Sequence, residues 1–252
     1  MSNFLFILFT IIFQLCLFAG NSPIEKIKND LKKVNAMYAS TSSFSMDIQY
    51  LVFDNHINGN LVENKPGKYI KHNNINYTKM LGVETIVNAK HTIIINNEEA
   101  FLVITDTKKI EYSPIQTNLD TLLKLCSSIK VVEVNENERH YMILFEEDED
   151  LSEFSQIDVY INLSNYSIKK LVLFYNQTLP LNQNDFYAKE KKPRVEIIYK
   201  TFNPFATLNT TQNKLFVESN YLVPFQNSYK GNGKYLSYEV INQLGSYRFR
   251  KK

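Results

Sequence analysis

The residues that are most often used for catalysis or metal binding are few in this sequence and widely spaced. The four histidines are His56, His72, His91 and His140, and no two of them have the H-E-x-x-H spacing that places zinc ligands on one helix. Each falls in a different turn or strand pattern, so we predict neither a metal site nor a cofactor. A site assembled from distant parts of the chain stays open, because sequence spacing alone does not reveal one.

Other catalytic signatures are also missing from the sequence. It contains no glycine-rich phosphate loop, no nucleophile elbow and no paired Cys–His signature. The densest acidic run, residues 146–150 (EEDED), has neither the glycine nor the ligand spacing of an EF-hand loop and is typical of a solvated loop. We therefore predict a non-catalytic protein, and an enzyme with a non-local site is the alternative.

The charge balance argues against nucleic acid as a partner. The chain has 28 Lys and Arg against 26 Asp and Glu, a net charge of +2, which provides no strong field for a polyanion. Two local basic clusters, residues 189–194 and 248–252, allow peripheral contact with anionic lipid head groups, each cation contributing about 1 kcal/mol.

The amino-terminal residues have the pattern of an export signal. Residues 4–18 (FLFILFTIIFQLCLF) carry no charge and are too few for a typical membrane span, and small Ala19 and Gly20 precede a polar stretch. We predict a signal peptide over residues 1–20 and export across the inner membrane to the periplasm. Residues 1–3, which precede the apolar run, include no Lys or Arg, so an uncleaved anchor remains an alternative. Cleavage would leave Cys126 without a disulfide partner, in a buried position.

The elements that follow predict an α+β fold. Ser22, Pro23 and Glu25 form a capping box that opens an amphipathic helix, and a second box at residues 113–116 opens another. Between and after these helices run many short alternating strands joined by tight turns, which favours an antiparallel meander. We predict one large curved antiparallel sheet covered by a few amphipathic helices, in a single domain over residues 21–252 with a C-terminal extension from about residue 201.

The candidate ligand-binding residues are apolar side chains that would share the concave face of this sheet. A curved sheet closed by helices can enclose an apolar cavity suited to acyl chains. The alternative is that these side chains are packed core. The candidates are Phe44, Met46, Ile48, Tyr50, Val52, Tyr141, Ile143, Phe145, Ile157, Val159 and Ile161.

The order of elements resembles the periplasmic lipoprotein-carrier family (LolA/LolB-like). The resemblance covers roughly residues 22–200 and rests on an amphipathic helix, SFSMDI at 43–48, GKY at 67–69 and a late hairpin, FSQIDVYINLSNYSIKKLVLF, at 154–174. It implies an unclosed β-barrel with helices as a lid, which binds the acyl chains of lipoproteins or other lipids without catalysis. Two departures are that no arginine precedes Arg139 and that the last fifty or so residues have no counterpart.

Two functional hypotheses follow. The first is an exported, non-catalytic protein that binds lipid or lipoprotein acyl chains in the concave sheet face. The second is a structural or assembly component of the cell envelope, with a fully packed core, that binds a protein partner through an exposed strand edge.

Overall fold

The amino-terminal helix forms as the capping box predicts. A computed structural model describes residues 22–107, 123–146, 152–178, 191–205, 207–226 and 228–244. Helix α1 spans Pro23–Ser40; the Ser22 side chain accepts a hydrogen bond from the Glu25 N–H, and Pro23 lies in the first turn, where no N–H is needed. Its buried side chains recur every three or four residues and include Ile27, Leu31 and Val34.

Several predicted features lie outside the described residues. These are the leader at residues 1–20, the second capping box at 113–116, most of the acidic run after residue 146, part of the basic cluster at 189–194 and the basic carboxyl terminus. Within the part of the chain that is described, no helix is both long enough and apolar enough to span a membrane.

Twelve strands form one large sheet, which confirms the predicted fold class. Its order is β14-β6-β5-β4-β3-β2-β1-β11-β10-β9-β8-β7, where β14 is the short strand Glu239–Asn242, and neighbouring strands are antiparallel except for the parallel pair of β14 and β6. Among the described residues the sheet is not closed, because β7 and β14 are its two edges. The strands up to β11 are β1 (Ser43–Phe53), β2 (Leu61–His72), β3 (Ile75–Met80), β4 (Val83–Val87), β5 (His91–Asn96), β6 (Phe101–Asp106), β7 (Cys126–Asn135), β8 (Glu138–Phe145), β9 (Phe154–Asn162), β10 (Ile168–Tyr175) and β11 (Arg194–Pro204).

Pairing between β1 and β11 joins the two meanders into a single sheet. Residues far apart in sequence lie opposite each other here, for example Tyr50 and Ile197. β2 extends beyond the stretch from residue 67 that its sequence pattern indicates. Its residues 61–66 pair with β1 alone, since β3 reaches only as far as Lys68. Pro66 fits this position, since a proline lacks the N–H that a second neighbouring strand would require.

The sheet has a different cover on each face. We call the side that packs against α1 the helix face and the other side the reverse face. Adjacent residues on β2 illustrate the division, since Tyr69 belongs to the core beneath α1 and Ile70 to a separate core on the reverse face. Side chains alternate along a strand, so each residue's face follows from its position.

The segment after β11 forms a C-terminal layer over the reverse face. The layer comprises α2 (Thr210–Leu215), a 3₁₀ turn (Glu218–Asn220), the hairpin of β12 (Leu222–Phe225) and β13 (Ser228–Gly231), a 3₁₀ turn (Gly233–Tyr235) and β14 (Glu239–Asn242). Its buried Tyr221, Leu222 and Tyr235 pack against a row of side chains that runs across β2 to β6. That row is Ile70, Tyr77, Ile86, Ile93 and Ile104.

Candidate ligand-binding face

The candidate ligand-binding residues lie on the helix face, and all of them except Val52 belong to one buried cluster. The other candidates on β1, β8 and β9 join Ile27, Leu31, Val34 and Tyr38 of α1 in one apolar cluster. These ten candidates are between 0% and 5% exposed, so side chains of the helix fill the space above them. Val52 is half-buried and lies outside this cluster, next to a register shift where β1 approaches its hairpin.

Aromatic rings close the cluster where the helix ends. Phe44 is fully buried, and its ring centroid lies 5.6 Å from that of Tyr38, 5.5 Å from Tyr69 and 5.0 Å from Phe202. These distances are within the range in which tilted aromatic pairs attract beyond simple burial. The rings come from α1, β1, β2 and β11, so this group ties the helix to the junction of the two meanders.

A polar network fixes the amino-terminal half of α1 to strands β7 and β8. Asp30 is 4% exposed and accepts hydrogen bonds from Arg139 Nη1 at 2.5 Å and the Tyr141 hydroxyl at 2.7 Å. Arg139 Nε also donates to Glu133 Oε1 at 2.8 Å, and Lys26 Nζ lies 2.5 Å from the same oxygen. We call Lys26, Asp30, Glu133, Arg139 and Tyr141 the helix clamp.

The charges of the helix clamp stabilise one another. Burial disfavours the charged guanidinium, but hydrogen bonds to Glu133 and Asp30 outweigh it and raise the pKa of Arg139. Partial burial tends to raise the pKa of Glu133, but the hydrogen bonds and positive charges of Lys26 and Arg139 outweigh it and lower this pKa. Of the clamp residues, only Tyr141 was among the sequence candidates. The signal that would have indicated the clamp is Asp30 itself, a carboxylate three residues after Ile27 and four before Val34 and hence on the apolar stripe.

The carboxyl-terminal end of α1 is held by Tyr38 and Lys71. The Tyr38 hydroxyl accepts a hydrogen bond from the Ile168 N–H at 3.2 Å, and Lys71 Nζ donates to the Tyr38 carbonyl at 2.7 Å. A lysine suits this place because the last carbonyls of a helix lack partners within the helix. Burial lowers the pKa of Lys71.

The helix face continues beyond α1 onto strands β3 to β6. One register row starts at Tyr69 and crosses Thr78, Thr85, Ile94 and Val103. These four residues after Tyr69 are half-buried and belong to neither apolar core. At the described positions of β3 to β6 this face carries no charge. It comprises Asn76, Thr78, Met80, Val83, Thr85, Val87, Thr92, Ile94, Asn96, Phe101, Val103 and Thr105.

The histidines do not come together. His56 contacts the Tyr175 carbonyl, His72 the Ser43 hydroxyl, His91 Glu218 and His140 Asp158. No group of three or more His, Cys, Asp and Glu residues suited to a metal ion occurs among the residues that the structure describes. Cys126 is half-buried against the core, where burial raises the pKa of its thiol.

The chain is similar to several solved structures at low sequence identity. No family model and no curated protein matches the chain. Similar solved structures include a LolA superfamily protein from Nitrosomonas europaea (9% identity, TM-score 0.27, covering 75% of this chain and 96% of that one). A Pseudomonas aeruginosa MucA/MucB complex (8%, TM-score 0.40, 74% and 59%) and the Mycobacterium tuberculosis lipoprotein LppX (8%, TM-score 0.35, 72% and 97%) are also similar. The first of these structures belongs to the family that the sequence resembles.

Buried tyrosines give a titration test of the packing on both faces. Burial raises the pKa of Tyr38 to about 12 and raises those of Tyr50, Tyr77, Tyr199 and Tyr221 as well. The pKa of a tyrosine in the unfolded chain is about 10. Keeping these buried tyrosines protonated therefore stabilises the fold fully below pH ~10, and this contribution is lost as the pH rises further. Absorbance at 295 nm should show one group of tyrosines ionising near pH 10 and another only with unfolding. A single ionisation near pH 10 in the folded protein would contradict this burial.

Proposed function

We propose that the protein is an exported, non-catalytic binding protein for lipid or lipoprotein acyl chains, and that the helix face is its binding surface. The observation that carries this proposal is the continuity of the face. The apolar cluster beneath α1 continues into an uncharged face on β3–β6, where half of the side chains are apolar and half are Thr or Asn. An acyl chain carries no charge, so it can lie along the apolar side chains, and each buried methylene contributes about 0.8 kcal/mol.

Binding would begin on β3 to β6 and extend beneath α1. Ile94 and Val103 are half-buried, whereas Met46 and Tyr141 are 1% and 0% exposed in the described state. A chain that reaches the second pair must displace side chains of the helix, which acts as a lid. Because the clamp and Tyr38 hold the helix at both ends, opening it requires these polar contacts to be exchanged for contacts with water or ligand.

The predicted signal peptide would place the protein in the cell envelope, where such ligands occur. The acyl chain of a lipid or a lipoprotein would be the ligand, and no cofactor is required. Peripheral contact with a membrane surface would bring the protein to its ligand. Binding to an envelope protein would be compatible with the same location.

The rival function is a structural or assembly component of the envelope with a packed core. The near-complete burial of Phe44, Met46, Tyr141 and Ile143 beneath α1 favours it, because core residues of this kind need no ligand. The two functions differ in whether the helix face binds acyl chains at all.

Native mass spectrometry tests the proposal directly. Protein comprising residues 21–252, purified without detergent from the periplasm of a Gram-negative host, should carry heterogeneous adducts of lipid mass that denaturation releases. Val103→Glu should abolish the adducts by placing a charge on the face, while Val217→Glu, at an exposed site of the C-terminal layer, should retain them. An apo mass together with no uptake of added fatty acid would refute acyl-chain binding and favour the rival.

A further inference from the structure

Strand β7 is an open edge of the sheet. It spans Cys126–Asn135 and, among the described residues, has a strand neighbour on one side only, β8. Most of its residues are exposed, including Val132 at 43% and Val134 at 49%. Its register with β8 shifts only near its two ends, so residues 128–133 form a regular extended stretch. An edge of this kind presents unpaired backbone N–H and C=O groups that template another strand.

The opposite edge of the sheet is protected differently. There β6 is covered by the short parallel strand β14, and Asn242 of β14 contacts Ser228 of the neighbouring hairpin through its side-chain amide at 3.4 Å. Short edge strands covered by further chain are a common protection against unwanted pairing. Among the residues that the structure describes, the C-terminal layer thus covers one edge, whereas the longer edge, β7, has no covering neighbour.

The charged side chains near β7 indicate which kind of segment could bind at this edge. Lys26 lies on the helix face and contacts Glu133, and Lys28 lies close enough to Cys126 to lower the pKa of its thiol against the effect of burial. Lys130 is exposed and lies on the reverse face, since its neighbours Ile129 and Val131 pack into the core beneath α1. Glu133 is paired with Lys26 and Arg139, so the charges of Glu133 and Lys26 offset each other. Lys28 and Lys130 remain, and they border the edge with positive charge, one on each face.

A second copy of the chain fits this edge poorly. Pairing β7 with β7 of another copy would bring both sets of lysines together, and like charges in proximity are unfavourable. An extended segment with acidic side chains meets the opposite condition, because its carboxylates would lie near Lys28 on one face and Lys130 on the other.

We propose that the β7 edge is a docking site for an extended acidic segment of a partner protein, which adds to the sheet as a further strand along residues 128–133. Main-chain hydrogen bonds supply the affinity in this mode of recognition, and the flanking lysines select the sequence. Docking here is independent of acyl-chain binding on the helix face.

The first test uses synthetic peptides and amide exchange. The probe is a fluorescein-labelled octapeptide that alternates Glu and Val, and the controls are the same pattern with Lys in place of Glu and a version interrupted by proline. The acidic peptide alone should bind, and it should slow hydrogen exchange at alternate amides within residues 128–133. Equal binding of all three peptides, or protection elsewhere in the sheet, would overturn the assignment.

Charge reversal gives the second test. Lys130→Glu should weaken binding of the acidic peptide about tenfold, which is about 1.4 kcal/mol, whereas Lys200→Glu, at an exposed site on β11, should leave it unchanged. Both variants should retain the wild-type circular dichroism. Equal affinities for the two variants would refute a role for Lys130. Concentration-dependent dimers of the free protein in sedimentation equilibrium, with slowed hydrogen exchange at residues 128–133, would overturn the proposal and identify a second copy as the occupant instead.

Discussion

Replacing Asp30 with alanine is expected to lower the free energy of unfolding by about 3–5 kcal/mol, because it leaves a partly buried arginine without its closest partner. The carboxylate is 4% exposed and accepts from both Arg139 and Tyr141. Without it, the Tyr141 hydroxyl loses its acceptor in a position that is 0% exposed. Urea denaturation monitored by circular dichroism measures the difference.

Asp47 provides the matched control for this variant. Its side chain is 57% exposed and lies 3.6 Å from Lys68, so Asp47→Ala should change the free energy of unfolding by less than about 1 kcal/mol. Replacing Asp30 and Arg139 together with leucine and methionine should recover part of the loss, because no buried charge is then left alone. Equal effects of Asp30→Ala and Asp47→Ala would show that the clamp does not hold the helix.

Phe44→Ala is expected to cost about 3–5 kcal/mol of unfolding free energy, the range for removing a fully buried phenylalanine ring. Phe44 is 0% exposed and contacts rings from α1, β2 and β11. Its loss removes the group that joins the helix to both meanders, so the cavity cannot be filled by a single neighbour. Urea denaturation of the purified variant measures the loss.

Leu51→Ala is the control for Phe44→Ala on the same strand. Leu51 lies on the reverse face of β1 and is half-buried, so its truncation should cost about 1 kcal/mol. If Phe44→Ala cost no more than Leu51→Ala, the helix face near Tyr38 would be loosely filled. Loose filling would favour a ligand cavity, and the full loss would indicate a tightly packed lid.

Local patterns predicted most of the helix and strands correctly. The alternation of Phe44, Met46, Ile48 and Tyr50 placed these residues on one face, and the structure buries all four beneath α1. The same alternation continues to Val52, which shares this face but is half-buried and lies outside the cluster, next to a register shift. Alternation is a property of neighbouring residues, so it carries no information on where the covering helix ends.

Long-range contacts account for what local patterns left undetermined. Asp30 pairs with Arg139, and the two are 109 residues apart in sequence, so neither could be assigned a role alone. The C-terminal layer has short elements and little periodicity, and its place was set by the need to cover the apolar row from Ile70 to Ile104.

The capped helix, the antiparallel strands and the residues that share a face could be predicted from local patterns, because capping, period and turn chemistry act within a few residues. Local patterns did not predict that β1 pairs with β11, that the two halves of the sheet are covered on opposite faces or that β7 has only one strand neighbour among the described residues. These features could not be predicted because any strand of this sheet can pair with several others. The choice depends on the total apolar surface that the whole chain buries, which no short segment contains.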